Sequence, residues 1–137
     1  MRTAVDTSVL LDVLVADPRF ADSSEEALRR VAGEGALVVC ECVLAEVTPV
    51  LGAAAIEGFL ADWALVFMPS TVESATLAGE MYQAYLRRSP RSAGRVLPDF
   101  LIGAHATCLA DRLLARDRGY YRDYFKRLRL IEPRVPR

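Results

Sequence analysis

The chain has 137 residues, 53% of them hydrophobic, and a mean hydropathy of +0.19. Those values predict one domain, 1–137, with a packed core, and exclude a disordered chain. No apolar run reaches the roughly 18 residues of a membrane span, and Asp6 and Asp12 interrupt the early apolar run, so a cytoplasmic protein without signal peptide or membrane association is expected. The net charge of −1 hides a division: residues 1–86 sum to −9 and residues 87–137 to +8, with Arg supplying 16 of the 17 basic groups, a balance that suits a polyanion partner for the C-terminal part.

In chain order, Thr3–Val5 reads as a strand ending at Asp6. A helix follows at once, with Thr7 or Ser8 as its cap and Val9, Leu10, Leu11, Val13 and Leu14 around most of its circumference, so deep burial is expected. Asp17-Pro18 ends it. Ser23–Glu34 predicts a second helix with acids in its first turn. Ala36–Cys40 is a continuous apolar run, the pattern of an interior parallel strand. A helix beginning near Val43 carries Glu46 and meets Pro49, which kinks helices. Another is expected over Ala53–Asp62.

Ala64–Phe67 predicts a third strand and Thr71–Arg88 a long helix. Arg87–Arg95 is a basic loop rich in Pro, Gly and Ser. Pro98 suits position N1 of a helix over Pro98–Ala110. Arg112–Ala115 is a fourth strand, followed by Asp117, a small helix or turn over Tyr120–Phe125, and an edge strand over Leu128–Ile131. Strands alternating with helices argue a parallel α/β sheet with helices on both faces. The cysteines are Cys40, Cys42 and Cys108, with no C-x-x-C pair; reduced thiols are expected, Cys40 and Cys42 sharing one face of an extended segment.

Residues that follow different strands of a parallel sheet lie at one edge, where ligands bind. Asp6, Glu46 and Asp117 converge there by topology, and Asp99 joins them if its helix runs antiparallel to the strands. Packed carboxylates repel one another unless a cation intervenes. Oxygen ligands suit Mg²⁺ or Mn²⁺, and water activated by such an ion attacks phosphodiesters. His105 is the single histidine, which excludes a zinc site built of histidines. It falls on the apolar side of its helix and is expected to be packed. Asp12 and Asp123 are expected to be surface or local structural residues.

The stretches Val5-Asp6-Thr-Ser-Val-Leu-Leu-Asp-Val-Leu, Leu44-Ala-Glu46-Val, Leu97-Pro-Asp99-Phe-Leu-Ile-Gly-Ala-His-Ala and Leu113-Leu-Ala-Arg-Asp117-Arg-Gly-Tyr-Tyr resemble, in this order, a PIN domain, and more narrowly the VapC-type toxin ribonucleases of toxin–antitoxin pairs. The resemblance covers nearly the whole chain. It implies a three-layer α/β fold with a roughly five-stranded parallel sheet, and a Mg²⁺- or Mn²⁺-dependent endoribonuclease. It also implies a small antitoxin partner and a homodimer. By position, Asp6, Asp99 and Asp117 are similar to the family's metal-binding aspartates and Glu46 to its glutamate. Thr7 or Ser8 matches the hydroxyl beside the first aspartate. Ala115 stands where the family often has Thr. Arg116, Arg118 and Arg95 are the expected RNA contacts. A non-catalytic PIN-like binding module and a DNA nuclease are the alternatives.

Overall fold

The structure, a computed structural model, describes residues 1–89, 96–116 and 119–135. Their strands are β1 (Arg2–Val5), β2 (Ala36–Val39), β3 (Leu65–Phe67), β4 (Arg112–Leu114) and β5 (Leu130–Ile131). They form one parallel sheet in the order β3-β2-β1-β4-β5. Among the described residues, seven α-helices flank it: α1 (Thr7–Leu14), α2 (Ala21–Ala32), α3 (Glu41–Leu51), α4 (Ile56–Asp62), α5 (Val72–Arg88), α6 (Leu97–Leu109) and α7 (Tyr120–Tyr124). The expected α/β architecture is what the chain adopts.

Composition explains the centre of the sheet. Val5, Leu37, Val38, Val39, Leu113 and Leu114 are all buried, as strands covered on both faces require. Their register pairs Thr3 with Leu37 on one side and Val5 with Leu114 on the other. The chain lays β2 and β3 to one side of β1, then returns with β4 and β5 to the other. The reversal falls between β1 and β4, and a crevice opens at such a point beyond the carboxyl ends of the strands.

Several boundaries differ from expectation, each for a local reason. The cap of α1 is Asp6 itself, in extended backbone, with its carboxylate accepting from the Ser8 N–H. Thr7 and Ser8 lie inside the helix. That helix stops at Leu14, and Leu11, Val13 and Leu14 are only half-buried. Asp17 accepts from the N–H groups of Arg19 and Phe20 at 2.9 Å, and α2 then begins at Ala21, before Ser23.

α3 starts at Glu41 and continues through Pro49 to Leu51. Cys40 is its cap and Cys42 its second residue, so the two cysteines do not share an extended segment. Residues 53–55 form a 3-10 turn before α4. Thr71 caps α5 through a reciprocal capping box with Ser74. Pro98 sits at the second position of α6, one later than expected. β5 begins at Leu130, two residues later than expected. Within the basic loop, residues 90–95 lie outside the described residues.

Candidate active site

Asp6 is placed by two elements at once. Its N–H pairs with Leu114 O of β4 at 2.9 Å, continuing the ladder by one bond. Its carboxylate caps α1. Oδ2 accepts from the Ser8 N–H at 3.0 Å and from the Ser8 hydroxyl, and Oδ1 accepts from the Tyr121 hydroxyl at 2.6 Å. Only 5% of Asp6 is exposed.

Glu46 lies on α3 and accepts a 2.7 Å hydrogen bond from the Thr7 hydroxyl, which ties the start of α1 to α3. Asp99 stands in the first turn of α6 and is half-buried. Asp6, Glu46 and Asp99 line one cavity of about 90 Å³ with Thr7, Ser8, Arg116 and Tyr121. Three of the four expected carboxylates therefore meet at the crevice beside the C-terminal end of β1. Asp117, Arg118 and Arg95 lie outside the described residues. Ala115, two positions before Asp117 in the sequence, is fully buried, and its N–H bonds Ile131 O at 3.0 Å.

Of the two readings open for Asp12, surface or local structural, its place in the fold is the second. It is 3% exposed and forms a two-pronged ion pair with Arg116: Nε to Oδ2 and Nη2 to Oδ1, both at 2.7 Å. Ser24 donates to the same carboxylate at 2.7 Å, and the Arg116 guanidinium lies 4.1 Å from the centre of the Phe20 ring. The Arg116 N–H also donates to Ser8 Oγ at 3.1 Å. Arg116 is thus committed along its length to anchoring the end of β4 onto α1 and α2, with 36% of its side chain exposed.

Tyr121 was not visible from sequence as a site residue. It lies on α7, whose left-handed cap Gly119 has φ +106°. A five-residue helix does not hold itself together. Its aromatic neighbours do: Tyr120 packs edge-on to Tyr85 at 5.6 Å, and Tyr124 on Phe100 at 5.2 Å. Burial, then the nearby charges of Asp6 and Asp99, push the Tyr121 phenol well above its ordinary range, so it stays a donor.

Two other places offer ligands. Cys40, Glu41 and Cys42 have donor atoms within 4.8 Å of one another. Cys40 is only 1% exposed, and Glu41 Oε2 accepts from the Ser70 N–H at 2.8 Å. A larger cavity of about 830 Å³ is lined by Glu73, Glu80, Lys126 and Arg127 among others, and by none of the expected site residues. The chemistry favours the smaller cavity. Its carboxylates form an all-oxygen donor set, which fits a hard divalent cation. His105 is 1% exposed and donates Nε2–H to Met68 O at 2.7 Å, so it is packed as expected.

A parallel α/β sheet with carboxylates just after β1 and on α3 and α6 meeting at the strand reversal defines a class of acidic-site α/β domains. The PIN domain family model matches residues 3–126, and the chain belongs to that family. The fold is similar to that of VapBC2 from Rickettsia felis bound to a DNA fragment from its promoter. The TM-score is 0.72 at 19% identity, over 98% of this chain and 100% of that one. It is also similar to DNA-bound VapBC from Salmonella typhimurium, with a TM-score of 0.64 at 17% identity over 96% and 98% of the two chains. No curated protein matches the sequence.

Proposed function

We propose that this chain is the toxin component of a toxin–antitoxin pair, a metal-dependent endoribonuclease acting in the cytoplasm. The observation that supports it most is the meeting of Asp6, Glu46 and Asp99 in one cavity of a PIN domain. The VapBC neighbours support a small antitoxin as partner. A second copy of the chain as partner follows from the resemblance, and the mass in solution by light scattering tests it: a monomer at working concentration overturns it.

Asp6, Asp99 and Glu46 would hold Mg²⁺ or Mn²⁺, with Asp117 as a further ligand by its place in the sequence. Such an ion supplies a water of lowered pKa and offsets charge on the phosphate. The chain's own residues prepare the site. Ser8 and Tyr121 fix the Asp6 carboxylate, and the Thr7 hydroxyl fixes the Glu46 carboxylate. The Arg116–Asp12 pair holds the segment that leads to Asp117. Arg118 and Arg95, with the exposed third of Arg116 at the cavity, are the proposed contacts to RNA phosphates.

The test is cleavage of single-stranded RNA with Mn²⁺ or Mg²⁺, with chelator, and with Asp6→Asn. Loss of a direct ligand is expected to slow cleavage by more than about 100-fold, beyond what an outer partner costs. Cleavage that survives both chelator and Asp6→Asn overturns the proposal. In the uncleaving Asp6→Asn chain, an unchanged salt slope of RNA binding on Arg118→Ala removes that contact from it.

A further inference from the structure

We propose that Tyr121 is a positioning residue for the Asp6 carboxylate, its phenol O–H holding Oδ1 so that one lone pair of that oxygen is left for a cation. The proposal rests on the nuclease reading and adds to it a residue that acts through Asp6.

Hydrogen-bond capacity gives the argument. An ionised carboxylate offers about four lone-pair positions, two on each oxygen. The Ser8 N–H and O–H both reach Oδ2, which fills that oxygen. The Tyr121 O–H takes one position on Oδ1. One remains, on Oδ1, so Asp6 binds a cation through that single oxygen. Without the phenol, Oδ1 keeps two open positions, and nothing at that end selects between them.

The donor is also firmly placed. Tyr121 is 3% exposed, and α7 is held by Tyr120 and Tyr124 against Tyr85 and Phe100. Ser8 is two residues from Asp6, whereas Tyr121 is 115 residues away. Tyr121 therefore makes the geometry of Asp6 depend on the docking of the C-terminal helix. Outer partners of metal ligands act in this way, fixing the orientation of the group that binds.

The experiment uses Tyr121→Phe in the full chain, which keeps the ring and removes the hydroxyl. Mn²⁺ affinity is measured without RNA, from the electron paramagnetic resonance signal of free Mn²⁺, for wild type, Tyr121→Phe and Asp6→Asn. The expected result is Mn²⁺ binding weakened by about 10–100-fold in Tyr121→Phe, the usual cost of an outer partner. Cleavage measured against Mn²⁺ concentration should show the activation midpoint moved by a like factor, with the maximal rate recovered at high Mn²⁺. A residue that only packed would lower the rate without moving that midpoint. Tyr121→Met gives the same reading should the Phe variant fail to fold. Affinity within about threefold of wild type overturns the proposal and leaves the nuclease reading standing. Wild type and Asp6→Asn binding Mn²⁺ equally weakly overturns both.

Discussion

The Asp12–Arg116 pair is where a single residue carries the most structural consequence. Asp12 is nearly sealed from water, and Arg116 is its main counter-charge, with Ser24 the remaining donor. Removing one member of a buried pair leaves the other charge uncompensated, at about 3–5 kcal/mol when both ends are dry. The guanidinium is about one-third exposed, so Arg116→Ala is expected to cost about 2–3 kcal/mol, read by urea denaturation. Asp12→Asn combined with Arg116→Ala should cost less than the two single changes added together. Additive costs show that the pair is not coupled. The sequence did carry a signal for this pair: Asp12 interrupts the apolar run Val9–Leu14, and an acid inside a buried helix needs a partner. The strand-end carboxylates were legible for a topological reason, since the C-terminal ends of parallel strands share one edge. Tyr121 was not legible, because its contact with Asp6 exists only once α7 docks and no spacing in the chain encodes that docking.

Among the elements, α7 depends most on its neighbours, and α6 is shaped to receive it. Gly103 faces Phe125, the residue after α7. A Cβ built on Gly103 would stand 2.6 Å from Cε2 of that ring, and Phe125 is 4% exposed, with little room to move. Gly103→Ala gains about 1 kcal/mol of helix propensity, against an overpacking cost of about 1–3 kcal/mol. A net loss of about 0–2 kcal/mol is expected by urea denaturation. If the alanine variant is more stable than wild type by the full gain of about 1 kcal/mol, the close approach of ring and helix is wrong. Element type was read well wherever the pattern was long: the runs of β1 and β2, and the helix over residues 72–88. Ends were read less well. The cap of α1 fell on Asp6 itself, and α2 starts early, just after the Asp17 carboxylate accepts from two backbone N–H groups. Such caps depend on which side chain reaches an N–H, which hydrophobic periodicity does not report.

At the scale of the whole molecule, the charge division of the sequence becomes spatial. Residues up to 67 build β1, β2 and β3, while β4 and β5 come from the basic C-terminal part. The seam between β1 and β4 lies beside Asp6. The acidic and basic parts of the chain are joined elsewhere through His105 of α6, which donates to Met68 O after β3 and lies near Glu41 at the start of α3. Burial drives the His105 pKa below its ordinary value of 6.5, and the Met68 carbonyl and the Glu41 charge only partly oppose this. The unfolded chain therefore takes up a proton at this histidine below about pH 6.5, while the folded chain does so only at lower pH. The stabilisation is fully present above about pH 6.5 and is lost as pH falls toward the depressed folded value. The thermal midpoint of the metal-free chain is expected to drop as pH falls from about 7.5 to 5.5, above the range in which ordinary carboxylates titrate. His105→Gln removes the titration and keeps an amide able to donate to Met68, so its midpoint should be flatter across that window, from a lower start. An equally steep loss in the glutamine variant assigns the acid sensitivity to other groups.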